Sequence, residues 1–163
     1  MAVKWSAGAL LFRTGATGEL EVLLGHPGGP FFAKRDEGAW SIPKGEYGPD
    51  EDPRAAAARE FAEELGAPLP AGPEWALGDV RLPSGKRLTV YAVRADFDES
   101  RAHSNTFELE WPPRSGRMRT FPELDRVAWF DTETARRKLS KGQPEFLDRL
   151  LAALAPTPAD QTP

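Results

Sequence analysis

The sequence contains no cysteine, which excludes disulfides, thiolate metal sites and a cysteine nucleophile and suits a reducing cytoplasm. It has no excess of positive charge either. A formal net charge of -4 leaves no overall basic field to draw nucleic acid or a membrane surface, so an anionic ligand needs local basic groups. Long hydrophobic runs are also missing: the opening "MAVKWSAGALLFRTG" is broken by Arg13 and is too short for a signal peptide, and no stretch approaches the ~20 residues of a membrane span. No nucleic-acid partner and no membrane partner are expected, and the expected location is cytoplasmic. Internal repeats and a second domain are absent as well. At 163 residues the chain is long enough for one domain that buries roughly 70% of its unfolded surface. That domain is expected over residues 1–155, followed by a disordered tail over 156–163.

What is present reads as strands interrupted by one helix and closed by two others. Ala7 to Phe12 and Leu20 to Gly25 are apolar runs joined by the turn-rich "TGATGE", which predicts a hairpin. "HPGGPFFAKRDEGAW" predicts a long loop leading to a short strand at Trp40 to Ile42. Asp52 as N-cap, Pro53 at the first helical position and Gly66 as a stop predict a helix from Pro53 to Leu65. "EWALGDVRL" and "RLTVYAVRADF", joined by "PSGK", predict a second hairpin, "NTFELEW" a half-buried strand and "PPRSGRMR" a basic loop. "RVAWF" predicts a last strand, and "TETARRKL" and "PEFLDRLLAAL" two short helices. The order implies an α/β class, a mixed β-sheet with helices on both faces.

The stretch "GEYGPDEDPRAAAAREFAEELGA" crowds Glu60, Glu63 and Glu64 onto the last turns of the predicted helix. Negative charge is disfavoured at a helix C-terminus, and acids three and four residues apart repel by roughly 0.2–0.5 kcal/mol per pair. At about 100° per residue the three acids share one arc, while Ala58, Phe61, Ala62 and Leu65 share another that packs on the sheet. The acids are therefore expected to point away from the core with converging carboxylates. Ala56, one turn earlier, is expected to leave room beside them for a ligand, and Arg59 to orient a carboxylate. A hard divalent cation turns the repulsion into a binding site, because carboxylate oxygens suit magnesium and manganese. A calcium loop over "DEDPRAAAARE" is excluded, since its oxygens do not alternate as such a loop requires.

The stretch resembles the signature of the Nudix hydrolase family, G-x5-E-x7-R-E-U-x-E-E-x-G-U, with U a bulky apolar residue. Gly45, Glu51, Arg59, Glu60, Glu63, Glu64 and Gly66 stand at the required spacings and Phe61 fills the first U. Ala67 at the last U is small, a departure that bears on packing rather than chemistry. The resemblance extends over roughly Ser6 to Leu154 and implies a Nudix-like α/β/α sandwich. It implies an enzyme that hydrolyses a nucleoside diphosphate linked to another moiety X, using Mg²⁺ or Mn²⁺. Glu60, Glu63, Glu64 and the Gly45 carbonyl would be the metal ligands, with Arg59, Glu51 and Gly66 supporting them. Glu63 or Glu64 would take the proton from water, or an acid on a separate loop would do so, for which Glu108, Glu110 and Glu123 are the candidates.

"WSIPKGE", Trp40 to Glu46, resembles the branch acting on dinucleoside polyphosphates and, to a lesser degree, the diphosphoinositol polyphosphate branch. Lys44, Lys34, Arg35, Arg114, Arg117 and Arg119 are the local basic groups an acidic protein would need for a polyphosphate, and Trp40 and Phe32 are candidate base-stacking platforms. Cleansing of nucleoside triphosphates and a Nudix-fold nucleotide sensor without catalysis remain alternatives. The expected partner is a small nucleotide or polyphosphate.

Overall fold

The computed structural model describes residues 3–156. Strand β1 (Trp5–Thr14) is its centre, buried from Ser6 to Phe12. It pairs antiparallel with β2 (Leu20–Pro27) through Phe12↔Val22 and Thr14↔Leu20, which confirms the first hairpin. Its first half also pairs antiparallel with β3 (Lys44–Tyr47), from Trp5↔Tyr47 to Gly8↔Lys44. On its other side β1 runs parallel to β5 (Arg87–Arg94), which pairs antiparallel with β4 (Glu74–Arg81). Strand β8 (Leu124–Asp131) closes the far edge against β2. The order is β4-β5-β1-β2-β8 with β3 beside β1, and the parallel β1–β5 pair makes the sheet mixed, as expected.

Alternation along the strands builds two cores. Ala9, Leu11, Leu23 and Val93 face helix α1 (Pro53–Leu65) and meet Phe61 and Leu65. Leu10, Phe12, Val22, Leu24, Leu88 and Val90 face the opposite side and meet Phe146, Leu147 and Leu150 of α3 (Pro144–Leu154) and Ala135 of α2 (Thr132–Lys138). Helices therefore cover both faces. No helix among the described residues is long and apolar enough to cross a membrane.

Two elements differ from expectation. Trp40 to Ile42 makes only isolated bridges, Gly25↔Ser41 and Trp40↔Leu139, and the strand begins at Lys44 instead. Pro43 has no N–H to donate to a ladder, and its carbonyl accepts from the Ala9 N–H at 3.2 Å, so regular pairing with β1 starts one residue later. The basic loop after Trp111 is shorter than expected, because Met118–Pro122 forms strand β7 paired with β6 (Thr106–Glu110). This hairpin stands outside the main sheet, and all residues of its two strands but Phe107, Leu109 and Phe121 are exposed, so β7 lacks the apolar alternation that marks a strand. All but the first residue of the expected tail, 156–163, lies outside the described residues.

Helix α1 has the predicted bounds for the predicted reasons. The Asp52 side chain accepts from the Ala55 N–H at 3.0 Å, and Gly66 at φ 73° donates its N–H to the Ala62 carbonyl. A β-carbon at Gly66 would overlap the His103 carbonyl as well as strain a left-handed backbone. Gly66→Ala is expected to lower unfolding free energy by roughly 1–3 kcal/mol in urea titration, and an unchanged midpoint would refute this account of the helix stop.

Candidate active site

The acids of α1 lie along a seam between that helix and β3. Ala56 and Ala57 are fully buried and meet Ala7 of β1, so the helix approaches the sheet closely. This corrects the expectation that Ala56 leaves room for a ligand: the sheet occupies that space. The half-buried Ala58 and Ala62 lie further out than these two alanines. The close approach also turns Glu60 and Glu64 toward β3. The Glu60 side chain is 12% exposed and lies against Gly45, where a β-carbon would overlap its carboxylate. Glu64 is half-buried, and its Oε2 accepts the Lys44 backbone N–H at 3.1 Å. Glu63 is the outermost, 44% exposed.

Arg59 ties the row together. Its Nε and Nη2 donate to the two carboxylate oxygens of Glu51 at 2.8 and 2.9 Å, and its Nη1 reaches Glu60 at 2.8 Å and Glu63 at 3.3 Å. This two-pronged clamp joins α1 to the loop before it. Hydrogen bonding to Glu51 holds the guanidinium well above its usual range. Burial pushes Glu60 up, and repulsion from Glu63 adds to it. Burial likewise pushes Glu64 up to about 8, opposed by Lys44 and reinforced by Glu60 and Glu123. Lys44 is pulled down by burial against the attraction of Glu64.

The carboxylates do not converge as expected. Among the described residues no group of three acids or histidines stands close enough to hold a metal ion as placed, because Arg59 draws Glu60 and Glu63 toward itself while the Lys44 amide holds Glu64. The donor chemistry nevertheless fits a hard cation. Two poorly hydrated carboxylates disfavour their own charge, and the missing side chain at Gly45 lets one of them lie against the β3 backbone.

A cleft of about 520 Å³ opens from Glu64 along the outer edge of β8. Asp36, Trp40, Ser104, Asp125, Arg126, Phe130 and Lys138 are among the residues that line it. Lys138 bonds Asp36, and Asp125 bonds Nδ1 of the buried His26 at 2.7 Å. Apart from Trp40, sequence spacing offered no signal for these residues, since Lys138 and Asp36 stand 102 positions apart.

The remaining candidates scatter. Trp40 is buried between His26 at 5.2 Å and Phe130 at 4.9 Å, and its Nε1 donates to Asp36 at 2.8 Å, so it is a packed wall rather than an open stacking platform. Lys34 and Arg35 are exposed on the loop after β2, where the Arg35 guanidinium lies 6.0 Å from the Phe32 ring and the Arg35 carbonyl meets His26 Nε2 at 2.6 Å. Arg114, Arg117 and Arg119 are exposed on the β6–β7 hairpin and do not line the cleft. Glu108 and Glu110 are exposed on β6, whereas the charge of Glu123, between β7 and β8, reaches Glu64.

Fold and site together describe an α/β/α sandwich that presses a carboxylate-rich helix against the central strand β1 and the short strand β3 beside it. A family model described as the NUDIX domain matches residues 4–150, and the chain belongs to that family. It is a Nudix-type pyrophosphohydrolase, a class whose members generally use divalent metal ions. The NUDIX domain of Shewanella oneidensis NrtR, complexed with ADP ribose, matches at 17% identity and a TM-score of 0.63, over 95% of this chain and 90% of that one. A C. elegans Ap4A hydrolase binary complex matches at 19% identity and 0.62, over 91% of this chain and 97% of that one. The E. coli ORF135 protein matches at 25% identity and 0.58, over 98% and 96%. The first two likenesses, both under 25% identity, show the fold alone. A search of curated proteins finds no match.

The raised Glu64 has a consequence for stability. An acid whose folded value lies above its unfolded value stabilises fully below about 4.5, and that contribution is lost as pH rises toward about 8. The metal-free protein is expected to lose on the order of 5 kcal/mol over that window relative to Glu64→Gln. Thermal melts of both proteins from pH 5 to 9 check this, and parallel curves would refute it.

Proposed function

We propose that the protein hydrolyses a phosphoanhydride bond in a nucleoside diphosphate linked to X, with a dinucleoside polyphosphate as the preferred substrate, and that Glu60, Glu64 and the Gly45 carbonyl hold the Mg²⁺ or Mn²⁺ ion with Glu63. The observation that carries the reading is the pair of poorly hydrated carboxylates, Glu60 and Glu64, set against the β3 backbone, with Glu64 lining a cleft. A bound divalent cation supplies positive charge to the phosphate oxygens and activates water. Arg59 and Glu51 hold the helix to the loop before it, so that the carboxylates keep their places as the charge around them changes. Glu123, between β7 and β8, whose charge adds to that felt at Glu64, is the acid we assign to take a proton from water. Lys138 and Arg126 give the cleft its positive charge, and Trp40 and Phe130 give it an aromatic wall.

Support for the substrate class comes from the "WSIPKGE" resemblance and from two structural neighbours, an Ap4A hydrolase and a domain complexed with ADP ribose. The lining favours this class over a diphosphoinositol polyphosphate. Asp36, Glu64, Glu99 and Asp125 outnumber Arg126 and Lys138, whereas a densely phosphorylated ring needs a strongly basic pocket. A cytoplasmic setting, which the lack of cysteine suits, belongs to the same reading.

Glu60→Gln and Glu64→Gln are each expected to lower kcat at least a hundredfold toward a dinucleoside polyphosphate, read by phosphorus NMR in labelled water. Wild-type rates in both variants would sink the assignment. Nucleotide binding without phosphate release by the wild type would favour the sensor reading instead. Glu123→Gln is expected to lower kcat about a hundredfold with little change in KM, and an unaltered kcat would remove it as the base.

A further inference from the structure

The cleft is not the largest cavity. A groove of about 770 Å³ lies at the opposite end of α1, where β1, β3 and the first helical residue meet. Val3, Trp5, Tyr47, Pro49 and Pro53 give it a mainly apolar surface, and Lys4 supplies a cation. Trp5 is 40% exposed, an unusual expense of apolar surface for a residue on the central strand. The Arg87 guanidinium lies 5.8 Å from its ring centroid and steadies the indole. None of the residues proposed for hydrolysis needs such a surface.

The position of the groove suggests what occupies it. Glu46 and Glu51 line it, and both also touch Arg59, Glu51 through its carboxylate and Glu46 through its carbonyl at 3.4 Å. Arg59 in turn bonds Glu60 and Glu63. One guanidinium thus separates the groove from the acidic row, and the cleft meets the same row at Glu64. The two cavities flank the acids on either side.

We propose that this groove binds a second heteroaromatic head of the substrate, the distal nucleobase of a dinucleoside polyphosphate whose phosphate chain crosses the acidic row and whose other nucleoside lies in the cleft. The inference rests on the hydrolase reading above and deepens it. A flat base stacks on the open Trp5 indole beside Tyr47, an apolar surface that accepts any base, while Lys4 meets the phosphate nearest that head. The groove then selects two-headed substrates over one-headed ones with an equal phosphate chain.

The test compares a diadenosine tetraphosphate with adenosine tetraphosphate. Trp5→Ala is expected to lower the ratio of their kcat/KM values about tenfold. Gly48→Leu is expected to do the same by filling the groove, since Gly48 lines it and a β-carbon there meets no atom within 4 Å. Binding is read separately in metal-free buffer, through the Trp5 indole N–H resonance, assigned with Trp5→Phe, during titration with a non-hydrolysable dinucleoside tetraphosphate. A shift at Trp5 together with the fall in both ratios supports the groove. Hydrolysis with unaltered ratios and a stationary resonance overturns the groove and leaves the hydrolase standing. If neither compound is hydrolysed by the wild type, the hydrolase reading fails, and the indole shift alone decides whether the groove binds the second head. A resonance that moves with protein concentration alone marks a self-contact and overturns the proposal.

Discussion

The close approach of α1 to the sheet is the constraint on which the rest depends. Ala56 and Ala57 have no bulk beyond a methyl group, and they meet Ala7 at the centre of β1. Larger residues there would lift the helix. With the helix this low, Phe61 and Leu65 fill one core and the adjacent arc has nowhere to go except the edge of β3. Glu60 and Glu64 therefore lose water, and that loss outweighs the attraction of Arg59 for Glu60 and of Lys44 for Glu64, so their ionisation becomes costly. Gly45 completes the fit by leaving its side-chain space to the Glu60 carboxylate.

Arg59 keeps this arrangement from being purely repulsive. Its guanidinium serves four groups at once, Glu51, Glu60, Glu63 and the Glu46 carbonyl, and so joins the helix to the loop that precedes it and to β3. The same side chain draws Glu60 and Glu63 to one nitrogen, while the Lys44 amide holds Glu64. A cation would therefore compete with an arginine for Glu60 and Glu63, and the clamp on Glu51 would let Arg59 release them without leaving its place. Two poorly hydrated acids, one movable acid and a fixed arginine form a site responsive to positive charge. The cavities at its two ends extend that site beyond the motif itself.

The β6–β7 hairpin and the loop after β2 were the elements least readable from local pattern. Their basic residues looked like the phosphate-binding groups of an acidic protein, yet Lys34, Arg114, Arg117 and Arg119 are exposed and line neither cavity. The cations that do reach the cleft, Arg126 and Lys138, sit on a strand and a helix end that read simply as structure. Trp40 shows the same limit from the other direction. Its neighbours in sequence suggested a stacking platform, while its neighbours in space, His26 and Phe130, make it core.

By itself the sequence determined the bounds of α1, its caps, the hairpin pairing of β1 with β2, the acidic row and the family to which that row belongs. All of these rest on residues within a few turns of one another, where spacing and geometry are the same thing. Only the tertiary structure decided that Glu60 and Glu64 lie against β3 while Glu63 stays exposed, that Ala56 is core, and that cavities lie at both ends of the row. These depend on how closely a helix packs on a sheet and on pairs such as Asp36 and Lys138, whose separation along the chain carries no trace of their contact.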